Sequence, residues 1–263
     1  MNTNTSFRLA LGAVLFSILA CNGGASVTPA QQDSVTVGNT QPAEVPPADA
    51  APDAGACTNP YLPIVVGATW NYNLTGTYPD TYTHTILSMS DSGFTEQDIF
   101  DSGVTRQAQW NCENGNLITL NSNNGGSANV STEGVEVNFE TKELSGITLP
   151  ADINPGDTWS QSLTLEGTQT ISGTSYPAGN SLTSDCTAIG VESVTVPAGT
   201  FDAMRVDCTT VLNPWMNMEG TEIKNTITLA GSNWYAPNVG LVKQASTGSG
   251  LDSTTELLSY NIP

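Results

Sequence analysis

Val194-Thr195-Val196-Pro197-Ala198-Gly199-Thr200-Phe201-Asp202-Ala203-Met204-Arg205-Val206 carries the marks of a β-hairpin: alternating strands on either side of a Pro-Ala-Gly reversal. Pro197 presets φ for a type I turn, and Gly199 suits the left-handed position that follows it in a three-residue loop. Pairing Val196 with Thr200 sets a register. That register puts Val194, Val196, Met204, Val206, Cys186 and Cys208 on one face, with Glu192 and Asp202 toward its ends. The opposite face carries Ser193, Thr195, Arg205 and Asp207, with Phe201 as an apolar exception.

The same period-two pattern extends in both directions. It recurs in Trp70-x-Tyr72-x-Leu74, Val135-x-Val137-x-Phe139, Gln161-x-Leu163-x-Leu165 and Ile223-x-Asn225-x-Ile227-x-Leu229. No stretch sustains the i, i+3, i+4 spacing of an amphipathic helix. Short alternating runs bounded by Gly, Asn, Asp and Pro indicate antiparallel strands. A second reversal, Trp234-Tyr235-Ala236-Pro237-Asn238-Val239-Gly240-Leu241-Val242, joins two apolar runs through Pro-Asn and Gly. Leu62-Pro63…Gly67-Ala68-Thr69-Trp70 returns as Leu149-Pro150…Gly156-Asp157-Thr158-Trp159, each a turn feeding a strand that opens on Trp. The runs continue without a linker-like break, so residues 57–263 read as one antiparallel β domain. Trp70, Trp159 and Trp234 sit beside reversals and are expected in its core. Trp110 and Trp215 have more polar or Pro-flanked neighbours.

The N-terminus reads differently. Residues 1–20 hold Arg8 and then the apolar run Leu9–Ala20, too short to span a bilayer and typical of a secretory signal. The run ends Ile18-Leu19-Ala20-Cys21, which resembles the bacterial lipobox and makes Cys21 the expected lipidation site. Asn22 rather than Asp follows, which favours the outer membrane. Residues 21–56 carry five prolines and four acids with no Lys, Arg or aromatic. Such a segment cannot repay its ordering entropy by burial and reads as a disordered tether.

The 263-residue chain has 25 acids against 6 bases, a net charge of −19, and only 12% charged residues. A nucleic-acid partner needs basic patches, and none is present. The expected partners are the membrane, through the N-terminal lipid, and an apolar small molecule or an envelope protein.

Pro63…Gly67-x-x-Trp70-x-Tyr72, Val196-Pro197-Ala198-Gly199-Thr200-Phe201 and Trp234-Tyr235-Ala236-Pro237-x-Val239-Gly240-Leu241-Val242-Lys243 together resemble an uncharacterised family of exported bacterial proteins, many of them lipoproteins. The resemblance covers residues 57–263. It implies an all-β architecture, a single strongly bent antiparallel sheet closing into a half-open or closed barrel. It brings no catalytic residue with it.

With Cys21 lipidated, Cys57, Cys112, Cys186 and Cys208 remain, and an exported chain would pair them as disulfides. The hairpin register places Cys186 near Cys208, which leaves Cys57 for Cys112. No C-x-x-C spacing suggests a metal. His84, the single histidine, lies in a strand pattern beside aromatics and reads as a surface or half-buried residue. No G-x-S-x-G motif accompanies it. Asp152-Ile153-Asn154-Pro155-Gly156-Asp157 offers oxygen ligands at short spacing but lacks the length and terminal Glu of an EF-hand, so it reads as an Asx-rich turn. Glu133, Glu136, Glu140 and Glu143 surround Lys142 as a solvated edge. These features predict a non-enzymatic, lipid-anchored envelope protein, with no cofactor and no metal, acting as a binding or structural module. The alternatives are a carrier of a lipid or acyl chain in a β half-barrel and, behind it, a hydrolase of envelope polymers. A deep apolar cavity would favour the carrier, a filled core the structural module, and a polar cleft with clustered carboxylates the enzyme.

Overall fold

The computed structural model describes residues 55–120 and 129–263. The signal segment 1–20, Cys21 and the tether up to residue 54 lie outside the described residues. After a 3-10 turn at Gly55–Cys57 the chain runs through β1 (Thr69–Gly76), β2 (Asp80–Ser90), β3 (Gly93–Phe100), β4 (Thr105–Glu113), β5 (Asn116–Thr119), β6 (Asn129–Thr132) and β7 (Val135–Gly146). The second half holds β8 (Thr158–Ile171), β9 (Thr174–Val196), β10 (Gly199–Met218), β11 (Thr221–Lys224), β12 (Ile227–Ala236), β13 (Gly240–Thr247) and β14 (Ser253–Asn261). One antiparallel sheet follows the order β10-β12-β13-β14-β1-β2-β3-β4-β6-β7-β8-β9, and β9 pairs back onto β10. Twelve strands therefore close into a barrel, which leaves no free edge in the ring. β5 and β11 are short outlying strands on β4 and β10.

The ring consists of two successive runs of six strands, one from β1 to β7 and one from β8 to β14. Each run opens with the recurring Gly-x-x-Trp turn, and the two turns are built alike. Gly67 N donates to Ile86 O and Ile86 N returns to Ala68 O; Gly156 N donates to Ala188 O and Ala188 N returns to Asp157 O. Gly67 and Gly156 both hold positive φ, 84° and 94°, a conformation that glycine adopts without steric cost. Asn154 N donates to Asp157 Oδ2 at 2.8 Å, so the acidic segment before the second turn is occupied with its own backbone.

One end of the barrel is filled. The largest core cluster lies there and joins Cys57, Ile64, Trp70, Trp110, Leu117, Leu149, Val194, Val196 and Leu257. The segment before β1 crosses this end and is pinned by the Cys57–Cys112 disulfide and by Asn59, whose Nδ2 donates to Gly115 O and Pro150 O. The Pro-Asn reversal closes over the same end: Trp70 Nε1 donates to Val239 O at 2.6 Å and Tyr72 Oη to Leu241 O at 2.8 Å. The signature residues of both reversals thus hold turns and core together.

The hairpin register differs from the sequence expectation. Val196 pairs with Gly199, not Thr200, so the loop has two residues, Pro197 and Ala198. Phe201 then stands opposite Val194 and packs on the core instead of standing out as an exception. A bulge at Ile189, between the pairs Arg205–Gly190 and Val206–Ala188, restores the parity farther along. Beyond it Cys186 lies directly opposite Cys208, and the two are disulfide-bonded.

The tryptophans also depart from expectation in part. Trp70 is buried, but Trp159 and Trp234 are half-buried. Alternation along β12, unbroken against β10 from Leu212–Ile227 to Met204–Tyr235, puts Tyr235 on the inner face with Gly231 and Asn233 and leaves Trp234 on the outer wall, its Nε1 on Glu192 and Arg205 across its ring. Trp110, in spite of its polar neighbours in sequence, is buried and stacks on Phe94 at 5.4 Å.

Two stability outcomes follow. Gly199 has φ of 143°, a region of strain for other residues worth ~1–3 kcal/mol, so Gly199→Val should lower unfolding free energy by that amount in chemical denaturation. Ala198→Val should cost less; equal losses would mean the turn conformation is not the constraint. Trp70→Ala should cost ~3–5 kcal/mol, as buried aromatics do, and Trp234→Ala clearly less.

Candidate functional site

Beyond the filled end the barrel is hollow, with a cavity of ≈ 560 Å³. Its size follows from which residues point inward. Across β9 to β14 one directly paired row reads Cys186, Cys208, Gly231, Ser246 and Ser253. A Cβ on Gly231 would meet nothing closer than a backbone oxygen at 3.6 Å, so the lumen is open beside it. These short side chains leave the space that larger ones would fill.

The opposite wall, β1 to β4, is aromatic and charged. Tyr72 stacks on Tyr82 (ring centroids 5.1 Å apart) and Tyr82 on Phe100 (4.7 Å). Trp70 lies 5.4 Å from the His84 ring. Beside this ladder sits a chain of four ionisable residues. His84 Nδ1 is 2.8 Å from Asp98 Oδ1 and its Nε2 is 3.4 Å from Glu96 Oε2, while Arg106 Nη2 donates to Asp98 Oδ2 at 2.8 Å. The guanidinium carbon stands 4.6 Å from the centre of the Phe100 ring, in cation–π contact. Strand pairing assembles the cluster, since His84, Asp98 and Arg106 are direct neighbours across β2, β3 and β4.

Burial by itself would depress the His84 imidazolium; the carboxylates of Glu96 and Asp98 outweigh it, so its pKa is raised above 6.5. Burial by itself would raise the Asp98 carboxyl; Arg106 and His84 outweigh it, so its pKa lies below 3.8. Burial also pushes up the phenols of Tyr72 and Tyr82, which stay neutral. Both ring nitrogens of His84 face carboxylates, so neither is presented to the lumen as a proton acceptor. The arrangement orders a polar wall.

Among the residues singled out from sequence, Trp70 and Trp159 line the cavity, as do both members of the Cys186–Cys208 pair. Cys57 and Cys112, Pro197 and Gly199 belong to the filled end and its hairpin. Trp234 belongs to the outer wall. His84 is part of a charged cluster rather than an isolated half-buried residue. Glu96, Asp98 and Arg106 were not singled out. Their signal was present: Glu96 and Asp98 share parity with Phe94 and Phe100, and Arg106 with Ala108 and Trp110, so charges occupy inward positions. Glu136, Glu140 and Glu143 lie exposed on β7 and Glu133 in the turn before it, with Lys142 on Glu140.

The cluster ties stability to pH with opposite signs at its two ends. The His84 contribution is complete below ~6.5 and is lost as pH rises through its raised folded value; the Asp98 contribution is complete above ~3.8 and is lost as pH falls through its lowered one. Because His84 is the single histidine, its NMR titration is unambiguous. The midpoint should lie above 6.5 and drop in Glu96→Gln. A midpoint at or below 6.5 in the native chain would contradict the ion-paired geometry.

No curated protein matches the chain. A protein of Parabacteroides distasonis ATCC 8503 described as a lipoprotein is 21% identical, with a TM-score of 0.49 over 77% of this chain and 99% of that one. A protein of Bacteroides fragilis NCTC 9343 described as exported, with a YmcC-like fold, is 19% identical, with a TM-score of 0.46 over 78% of this chain and 100% of that one. The hypothetical lipoprotein YmcC of Escherichia coli is 10% identical, with a TM-score of 0.35 over 78% and 87%. Residues 94–257, more than half of the sequence, match the family described as DUF3108-like, and this chain belongs to that family.

Proposed function

We propose that this protein is a lipid-anchored, non-enzymatic lipoprotein of the cell envelope, outer membrane included, whose barrel lumen binds a small amphipathic molecule. The observation that carries the binding reading is the lumen itself. A closed barrel packed only as a structural unit would fill its interior, as the side-chain-filled eight-stranded barrel cores do. This one sets Gly231, Ser246 and Ser253 where bulk would be needed. The volume falls within the ~300–1,000 Å³ of small-molecule sites, and the mixture of aromatic lining with a few polar groups is of the same kind. Leu182, Leu229 and Leu251 add an aliphatic patch to the wall. The envelope address rests on the Arg8–Leu9–Ala20–Cys21 order and on the tether that follows it. Two or three acyl chains on one residue suffice for stable anchoring.

Two measurements test this. Cys21→Ala should move the protein from the detergent phase to the aqueous phase in detergent partitioning; equal partitioning would remove the anchor. The apolar fluorophore N-phenyl-1-naphthylamine should gain emission with the lipoprotein held in phosphatidylcholine nanodiscs, beyond empty discs. Gly231→Phe should abolish that gain by filling the lumen, with little change in melting temperature. An unchanged gain in Gly231→Phe would place the dye elsewhere and defeat lumen binding.

A further inference from the structure

The lumen wall is asymmetric in what it leaves unpaired. The two carboxylates of the charged cluster are the covered members: the side chains of Glu96 and Asp98 are each 3% exposed, against 12% for His84 and 21% for Arg106. A molecule in the cavity therefore meets the cationic members first. Arg106 carries five N–H donors, yet its guanidinium makes a single hydrogen bond among the described residues, from Nη2 to Asp98. Its Nε is buried and has no acceptor. On the same face of the same strand, Trp110 is more than nine-tenths buried and its Nε1 also has no acceptor. The unpartnered buried polar atoms in this wall are thus donors, and both lie on β4. Leaving such a donor unsatisfied costs ~1–3 kcal/mol, a penalty that a bound acceptor would remove.

From this we infer that the lumen ligand is a single-chain amphiphile with an oxyanion head group, a carboxylate or a phosphate, held by Arg106. This rests on the reading of the lumen as a binding site. The guanidinium is fixed by Asp98 on one side and by the Phe100 ring beneath it, so its free N–H groups form a planar fork that suits two oxygens of one head group. The small side chains at Gly231, Ser246 and Ser253 leave room for the chain, with Leu182 and Leu229 as its apolar contacts. Asp80 and Asp101 stand at the rim. As charges beside bulk water they are screened over about 8 Å in physiological salt. They slow the entry of an anion more than they weaken its hold inside.

Displacement of N-phenyl-1-naphthylamine from the full lipoprotein in phosphatidylcholine nanodiscs, corrected with empty discs, tests the head group. Decanoate, decyl phosphate, decanol and decylamine are compared at equal chain length. Decanoate or decyl phosphate should displace the dye at about ten-fold lower concentration than decanol or decylamine, and the better of the two names the source of the oxyanion. Arg106→Gln should erase that advantage while decanol binding persists. Should Arg106→Gln fail to fold with Asp98 left uncompensated, Arg106→Lys keeps the charge without the fork and should reduce the advantage. Decanol or decylamine matching the oxyanions on the native chain would overturn the head-group assignment and leave lumen binding intact. Failure of the dye and of every decyl compound to bind would overturn both.

Discussion

The barrel depends on one pairing that nothing local helps to form: β1 against β14. Other strands in the ring pair with a partner nearby in the chain, whereas Thr69–Gly76 must find Ser253–Asn261 across almost the whole domain. Closing so long a loop carries an entropic cost that grows only slowly with length, but it must be met before the contacts form. The return lies in what the closure assembles. Trp70 and Tyr72 on β1 reach the carbonyls of Val239 and Leu241 at the start of β13, and Leu257 on β14 enters the core beside them. The hairpin tip is drawn in by the same seam, with Ala198 N donating to Leu257 O at 3.0 Å. Without this seam the sheet would present two long edges and its lumen would be a groove.

Closure also explains how buried charge is tolerated. Taking four ionisable groups out of water is costly, and a lone one would be expelled or neutralised. Here each is answered by a partner on the adjacent strand, and the aromatic ladder beneath Arg106 shields the group. The cluster and the filled end divide the interior. One end is packed by apolar residues and the segment before β1 that the Cys57–Cys112 disulfide tethers; the remainder is a chamber with an aromatic, charged wall facing a wall of small polar residues.

The outer surface carries a separate electrostatic arrangement. Arg205 bridges Asp207 and Glu192 and lies over Trp234, with Ser232 donating to Asp207. Such pairs at half-exposed positions contribute little to stability. They account for an aromatic on the outer wall of a strand whose next residue, Tyr235, turns inward.

The β class, the turn positions and the alternation are legible in the residues alone, because these depend on a period of two and on the dihedral demands of Pro and Gly. Gly67, Gly156, Pro197 and Gly240 mark reversals wherever the strands end up. Parity along the hairpin also places Cys186 near Cys208, although the true register differs by two residues from the one the turn suggests. Tertiary structure alone decided the rest. A two-residue loop and a bulge at Ile189 each move the register by one residue in the same direction, so together they restore the parity, and only the long pairing of β9 with β10 reveals it. Which of Trp234 and Tyr235 faces inward follows from which face of β12 meets the lumen, and the pairing with β10 sets that face. The hollow interior was beyond local reading altogether. A cavity is the difference between the ring's circumference and the volume of its inward side chains, and that circumference exists only once β1 has met β14.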